Sequence, residues 1–179
     1  LAVNDILEAV RRSKELCDLL LTYAGHSRVE LQPVSLATLV VETERLLRSN
    51  APSRTTLELD VAPNVPDVLG DQTAMRQVIV NLIVNAFAAV SERGGRIRVR
   101  VRRDDPPREG ALDFRIRERP TVLLEVEDDG VGMSPETLAR IFDPFFTTKQ
   151  DGHGFGLASV LGVARSHGGA LAAASELGN

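Results

Sequence analysis

Three stretches of the sequence carry polar side chains or glycines where a plain folded core would have neither. The first is a row of amides, Gln77, Asn81 and Asn85, spaced four residues apart in an apolar segment, which places them on one face of a helix. A neutral amide oxygen can ligate a hard cation such as Mg²⁺, which takes few protein ligands beside phosphates and water. The plainer alternative is that these amides hydrogen-bond a neighbouring loop, because an unsatisfied buried polar group costs about 1–3 kcal/mol.

The second stretch, residues 128–132, ends an apolar strand with an acid followed by two spaced glycines. Gly130 and Gly132 allow a tight turn and let a flat ligand approach without interference from a Cβ atom. The Asp128 carboxylate can accept a hydrogen bond from an exocyclic amine. Because the same pattern also occurs in plain turns, both interpretations stay open at this point.

The third stretch places Gly152, Gly154 and Gly156 directly before a helix predicted from Leu157 to His167. A helix N-terminus offers free N–H groups and a partial positive charge, and glycines let an anion such as a phosphate come close. The spacing matches neither the dinucleotide-binding fingerprint nor the P-loop. The stretch therefore predicts an anion site of another kind.

Helices and strands that position these stretches follow from caps and periodicity. Ser35 is predicted to cap a helix to about residue 50, and Asp71 a longer helix to about residue 92. Ser134 is predicted to cap a short helix to about residue 142. Strands are predicted at residues 55–61, 96–102 and 121–126, with another beginning at 170–174. The buried face of the first helix is expected to hold five apolar side chains: Leu36, Leu39, Val40, Leu46 and Leu47.

The strand at residues 96–102 alternates arginines with apolar residues. Its basic face could bind an acidic partner or nucleic acid, but the plainer interpretation is a solvated outer face. Residues 103–120 are rich in charge and proline and are predicted to form a hairpin excursion. Residues 1–24 show a heptad pattern, which predicts a helix that packs in a bundle or a dimer.

Composition sets the broad class. The chain has 179 residues, 43% hydrophobic and 26% charged, with a net charge of -4. An acidic balance argues against a general nucleic-acid binder, and the single Cys17 excludes an internal disulfide. We find no uninterrupted apolar run of about 18 residues, the length of a membrane span.

In this order, the three stretches resemble the nucleotide-binding boxes of the gyrase, Hsp90, histidine kinase and MutL superfamily. Residues 81–86 look like the N box, 128–132 the first glycine box, 141–146 the F box and 152–157 the second glycine box. The resemblance implies an α+β Bergerat-type two-layer sandwich, with a mixed or antiparallel sheet covered by helices on one face.

It also implies roles for individual residues toward ATP and Mg²⁺. Asp128 would accept the adenine amino group, Asn85 would ligate Mg²⁺, Asn81 would orient the phosphates and Lys149 would contact one. Residues 143–156 would form a lid over the phosphates, anchored on the core by phenylalanines. The glycines of both boxes and Leu157 complete the expected nucleotide-binding set.

Within the superfamily, the F box and residues 146–149 are similar to sensor histidine kinases. ATP-hydrolysing relatives usually have a glutamate as general base where this chain has Asn81, so the resemblance implies phosphoryl transfer rather than hydrolysis. Two alternatives stay open: a nucleotide-binding regulatory module without transfer, and an anti-sigma-type serine kinase or ATPase of the same fold.

The N-terminal helix resembles the second helix of the dimerisation and phosphoacceptor hairpin of these kinases. We therefore expect two units, residues 1–30 from that hairpin and residues 31–179 as the ATP-binding domain with a truncated C-terminal strand. None of the histidines matches the acceptor setting, so the acceptor is expected on a helix outside this chain. The resemblance further implies a homodimer through the N-terminal helix, a response regulator as partner, no nucleic acid, and a cytoplasmic location in a parent that could be membrane-anchored.

Overall fold

A computed structural model of the chain describes residues 31–104, 120–149 and 152–178. The predicted heptad helix and most of the predicted excursion at 103–120 lie outside these residues. Within them, strands and helices alternate in the order β1 (Gln32–Val34), α1 (Leu36–Leu47), a 3₁₀ turn (Arg48–Asn50), β2 (Thr55–Val61), β3 (Val68–Gly70), α2 (Gln72–Val90), β4 (Gly95–Asp104), β5 (Thr121–Asp128), α3 (Pro135–Leu138) and α4 (Gly156–Ser166). This mixture confirms the predicted α+β class.

In the part of the chain that the structure describes, the main sheet has three strands in the order β2-β4-β5. β2 pairs with β4 in parallel, and β4 pairs with β5 antiparallel, so the sheet is mixed as predicted. β1 and β3 form a separate antiparallel pair that the sequence did not predict. Each has three residues, too few for a recognisable alternation.

The central strand β4 separates an apolar face from a charged one. Ile97, Val99 and Val101 are fully buried, and the arginines between them point to the opposite face. There Arg98 pairs with Glu58, and Arg100 pairs with Glu125 and Glu127. Carboxylates of the flanking strands thus pair with this basic row, which supports the interpretation of a solvated outer face.

Helix α1 packs on the apolar side, but its buried face differs from the prediction toward its C-terminal end. Ser35 caps the helix as expected, accepting a hydrogen bond from the Thr38 N–H group. Leu46 is 67% exposed, whereas Thr43 and Glu44 are buried. The buried positions continue the series set by Leu36, Leu39 and Val40 at helical spacing. Hydrophobicity alone was therefore a wrong guide to the last turn.

Helix α2 is the central helix of the domain. Asp71 caps it, and its buried side chains are Ile79, Ile83, Ala86, Phe87 and Val90. By length and composition it would also suit a membrane span, although polar residues interrupt its apolar run. Here its apolar side packs in the same core as the strands.

Two predictions about the C-terminal third are wrong. The helix capped by Ser134 spans only Pro135–Leu138 and gives way to turns. Residues 170–174 form no strand. The residues that follow contact the first glycine stretch and its neighbour: Met133 N–H donates to Ser175 Oγ, and Gly178 N–H donates to the Val131 carbonyl. Gly168 and Gly169 do end α4, as predicted, because their N–H groups bond to the Arg165 and Ala164 carbonyls.

Candidate functional site

One face of α2 carries the predicted row of amides. Asn81 Nδ2 donates to the Gly156 carbonyl at 3.2 Å, and Gln77 Nε2 donates to Asn81 Oδ1 at 2.8 Å. Ala89 continues the spacing of four one turn beyond Asn85. We call Gln77, Asn81, Asn85 and Ala89 the amide face of α2. At 1.5 Å rise per residue, Asn81 and Ala89 lie about 12 Å apart along the helix axis.

The first glycine stretch lies against the end of this face. Val131 N–H donates to the Ala89 carbonyl at 3.2 Å. A Cβ atom on Gly130 would lie 2.6 Å from that same oxygen, so only glycine fits there. Gly132 follows with a φ of +64° against Glu176. The stretch is thus held one helical turn from Asn85.

Asp128 points to the helix-covered side of the sheet. It lies opposite the buried Ile97 in the β4–β5 register, and opposite residues share a face, whereas its neighbour Glu127 lies opposite the outward-facing Arg98. Desolvation raises the pKa of the Asp128 carboxyl, and the charges of Asp129 and Glu127 raise it further. A hydrogen bond from Gly130 N–H to Asp128 Oδ1 at 3.1 Å works in the opposite direction. Asp128 is exposed at the end of β5, so its carboxyl is a partly desolvated acceptor that also receives the Gly130 N–H group.

The second glycine stretch and the F box are joined through their backbones. Phe145 N–H donates to the Gly154 carbonyl at 3.0 Å. Gly154 has a φ of +70°, and a Cβ atom there would lie 2.3 Å from the Phe145 carbonyl carbon. The two segments therefore approach too closely for a side chain.

The expected anchoring of the lid on the core by phenylalanines is wrong for Phe145, which is 64% exposed. Its ring packs instead on the edge of Phe155, with centroids 5.0 Å apart. The Phe146 ring lies under the Arg140 guanidinium at 4.4 Å. These aromatic contacts therefore lie within the lid and its flanks, and Phe145 has a positive φ of 69°.

Lys149 connects the lid to the amide face. Its Nζ donates to Asn85 Oδ1 at 2.8 Å, and desolvation lowers the pKa of its ammonium group. Gly152 packs beside it, where a Cβ atom would lie 2.9 Å from that of Lys149. The oxygen that the resemblance assigns to Mg²⁺ is thus already bonded to a cation.

Helix α4 begins at this same place. Its N-cap is Phe155, which makes no side-chain capping hydrogen bond, and the first N–H groups of a helix have no intrahelical partner. A Cβ atom on Gly156 would lie 3.6 Å from Asn85 Nδ2. Leu157 is partly buried in the first turn. A positively polarised helix end therefore faces Asn81 and Asn85.

The structure places part of the predicted set on one face of α2. Asn81 and Asn85 lie on that helix, Lys149 and Gly156 lie beside them, and Gly130 lies against Ala89. The other predicted residues are close to these along the chain: Asp128, Gly132, Gly152, Gly154 and Leu157. The structure also adds Ala89, which the sequence reasoning missed. The signal was the spacing of four, but alanine has no polar group, and its contribution is a carbonyl oxygen and small size.

Comparison with known proteins gives the class. Residues 70–179 match the family model described as histidine kinase-, DNA gyrase B- and HSP90-like ATPase. The sensor kinase CckA of Brucella abortus is 32% identical over 98% of this chain and 19% of its own length. A mycobacterial sensor histidine kinase, MprB, is 30% identical, with a TM-score of 0.58 over 77% of this chain and 80% of that one. The chain belongs to this ATPase family, and these relatives are sensor histidine kinases.

Two further solved structures extend the likeness. Full-length ShkA in complex with AMPPNP is 25% identical, with a TM-score of 0.68 over 100% of this chain and 37% of that one. Histidine kinase ThkA in complex with the response regulator TrrA is 22% identical, with a TM-score of 0.63 over 94% and 44%. The latter likeness shows the fold. The chain spans about a fifth to a third of the first curated relatives that it matches.

Proposed function

We propose that this chain binds Mg·ATP along the amide face of α2 and donates the γ-phosphoryl group to a histidine on a dimerisation hairpin. The observation that supports the proposal best is the meeting of three separate stretches on one helix face: Gly130 at Ala89, Lys149 at Asn85 and Gly156 at Asn81. These contacts join residues that are 41, 64 and 75 positions apart in the sequence, and we interpret their convergence on one helix face as a binding site.

The adenine end of the site is assigned to Asp128. A partly desolvated carboxylate gains more from an exocyclic amine than a fully solvated one, because a hydrogen bond is electrostatically stronger in a lower local dielectric. Gly130 and Gly132 leave the neighbouring backbone without side chains, so that a flat ring has room. ShkA, whose structure contains AMPPNP, shares the fold.

The phosphate end is assigned to the first turn of α4 and the surrounding glycines. The uncapped helix end supplies N–H donors, and Gly154 and Gly156 keep Cβ atoms out of the approach. Asn81 has its Nδ2 group beside this turn, where it can orient an oxygen anion. These groups fit a triphosphate.

The metal is assigned to Asn85. Its Oδ1 is a neutral hard ligand that holds a cation already, the Lys149 ammonium. Mg²⁺ takes few protein ligands when phosphates supply the others, so one amide oxygen fits that role. When bound, the ion would neutralise phosphate charge. Lys149 would then leave Asn85 and bind a phosphate oxygen.

Transfer is favoured over hydrolysis by the amide at Asn81. Its side chain is neutral and occupied with Gln77 and Gly156, so it cannot act as a general base for water. Among the described histidines, His153 lies within the second glycine stretch and His167 is bonded within the fold. We therefore assign the acceptor to another segment.

The remaining proposals concern the whole protein. We propose a response regulator as the partner that receives the phosphoryl group, as ThkA binds TrrA. Residues 1–30 would belong to the dimerisation hairpin and pair two copies, and residues 31–179 would form the ATP-binding domain. The domain would work in the cytoplasm, where ATP is available. No nucleic acid is involved.

A transfer assay tests the reaction. The chain is mixed with γ-labelled ATP, Mg²⁺ and a separately produced sensor-kinase hairpin that carries the acceptor histidine. We expect label on the hairpin that is labile in acid and stable in base, as phosphohistidine is. An unlabelled hairpin with intact ATP binding would contradict the transfer and favour the regulatory module.

Two controls separate the alternatives. Replacing the hairpin's acceptor histidine with glutamine should abolish labelling. Steady phosphate release without any hairpin would instead favour an ATPase of the same fold. Asn85→Ala should abolish the dependence of ATP affinity on Mg²⁺ without removing adenosine binding, because Asn85 is assigned to the metal only.

A further inference from the structure

The far end of α4 is joined to the start of α2 by one side chain. His167, the C-cap of α4, lies 96 residues from Asp71, the N-cap of α2. The Asp71 N–H group donates to His167 Nε2 at 3.0 Å. A histidine at a helix end is expected to bond carbonyls of its own helix, so this bond between two helices was not foreseen from the sequence.

The bond defines the state of the imidazole. A backbone N–H group can only donate, so Nε2 must be the acceptor and the ring is neutral with its proton on Nδ1. Nδ1 lies 2.8 Å from the Val163 carbonyl, which accepts that proton. Ser166 Oγ lies 3.1 Å from Nδ1 and itself donates to the Val163 carbonyl. Both ring nitrogens are therefore used, one toward each helix.

The surroundings hold the ring in this place. Gly168, with a φ of +67°, ends α4 directly after His167, which keeps the histidine at the last turn. Gly70, just before Asp71, is buried, and a Cβ atom there would lie 3.0 Å from His167 Cδ2. The ring thus packs against the backbone of Gly70, which has no side chain.

Helix α4 is consequently fixed to α2 at two places. At its first turn, Asn81 Nδ2 bonds the Gly156 carbonyl, and at its end His167 bonds Asp71. The helix has 11 residues, about 16 Å in length. Loss of the bond between His167 and Asp71 would allow α4 to tilt about its contact with Asn81. The N–H groups of its first turn would then point in another direction.

We propose that His167 is a positioning residue for nucleotide binding: its Nε2 bond to Asp71 holds α4 so that the first turn faces the phosphates. The inference rests on the proposed function, since it requires phosphates at that turn. It concerns the phosphate end alone, because Asp128 lies on β5 and takes no part in the contact.

Calorimetry with two ligands tests the inference in the full 179-residue chain. His167→Ala should weaken binding of Mg·AMPPNP about tenfold, within the usual range of coupling between a structural contact and a binding site, because the first turn of α4 would no longer be held toward the phosphates. Adenosine, which lacks phosphates, should bind within about twofold of wild type. His167→Gln should restore most of the AMPPNP affinity, because its amide oxygen can accept from Asp71 N–H.

Ser166→Ala is the matched control, since it removes a group near Nδ1 and leaves the Nε2 bond in place; its AMPPNP affinity should stay within about twofold. In the wild-type chain, NMR should also show a ¹⁵N–¹⁵N coupling across the bond between Asp71 N and His167 Nε2. Equal affinity of His167→Ala for AMPPNP, equal losses for both ligands, or no such coupling would overturn the inference alone. A wild-type chain that binds neither ligand would overturn the proposed function and this inference with it.

Discussion

The outer face of the main sheet and the amide face of α2 are both polar, but their groups are used differently. On the sheet, Arg98 and Arg100 pair with carboxylates of the two neighbouring strands. On α2, Asn85 contacts the partly desolvated ammonium group of Lys149, and Phe155 at the nearby start of α4 provides no side-chain cap. The first surface has the larger number of charges and the second has groups placed for a ligand.

The difference shows that charge density alone does not mark a site here. Exposed ion pairs contribute little to stability and are screened by salt. These charges on the sheet face are paired with each other and do not require a ligand. Partly desolvated charges and the first N–H groups of a helix carry a free-energy cost that a bound ligand can offset. Glycines at close approach leave room for that ligand. Substitutions on the two surfaces should therefore change nucleotide affinity by very different amounts.

The largest effect is expected from Asp128→Asn. It should weaken adenosine and AMPPNP binding alike by about 100-fold, because a hydrogen bond to a charged group is among the strongest in proteins. Calorimetry with both ligands measures this. An unchanged affinity would remove Asp128 from the adenine site.

The same variant should be more stable than wild type at neutral pH. Desolvation raises the pKa of Asp128, so the folded chain holds that proton more tightly than the unfolded chain. Its ionisation therefore lowers stability as pH rises from the ordinary value through the raised one, and the cost persists above it. Urea unfolding should show the gain of Asp128→Asn at pH about 7 shrinking toward pH about 4. A stability difference that grows with acid would contradict this sign.

A smaller effect is expected from Gly154→Ala. Alanine at a φ of +70° is strained, and its Cβ atom would collide with the Phe145 backbone, so the lid must shift. AMPPNP affinity should fall about tenfold. Gly178→Ala is the matched control, with a φ of +82° and open space around the added atom. Equal losses in both variants would mean that strain rather than lid contact is responsible.

The smallest effect is expected from Arg100→Gln on the outer face. This change removes ion pairs to Glu125 and Glu127, both at 2.8 Å. AMPPNP affinity should stay within about twofold, and the melting temperature should fall slightly. A loss comparable to that of Gly154→Ala would place a ligand surface on the sheet and remove the contrast between the two faces.

Much of this arrangement could be predicted from the sequence because it depends on local chemistry. Asp71 and Ser35 were recognisable as caps, and the amides at spacing four necessarily share a face. The alternation of β4 predicted both faces of the sheet.

Other features depended on contacts between distant segments. The exposure of Leu46 depends on how α1 packs on the sheet. Phe145 is exposed and has a positive φ, and neither property can be predicted from its residue type. Lys149 on Asn85 and His167 on Asp71 join residues 64 and 96 positions apart. The family resemblance predicted the ligand, but these contacts could be identified only from the structure.

The most direct test of a single nucleotide site on α2 is a crystal structure of the chain with AMPPNP and Mg²⁺. We expect the adenine amine within about 3 Å of the Asp128 carboxylate, the metal on Asn85 Oδ1 with Lys149 moved to a phosphate, and the phosphates at the first turn of α4. A nucleotide bound instead between Arg96 and Arg98 on the outer face, or a bound nucleotide with Lys149 still on Asn85, would contradict it.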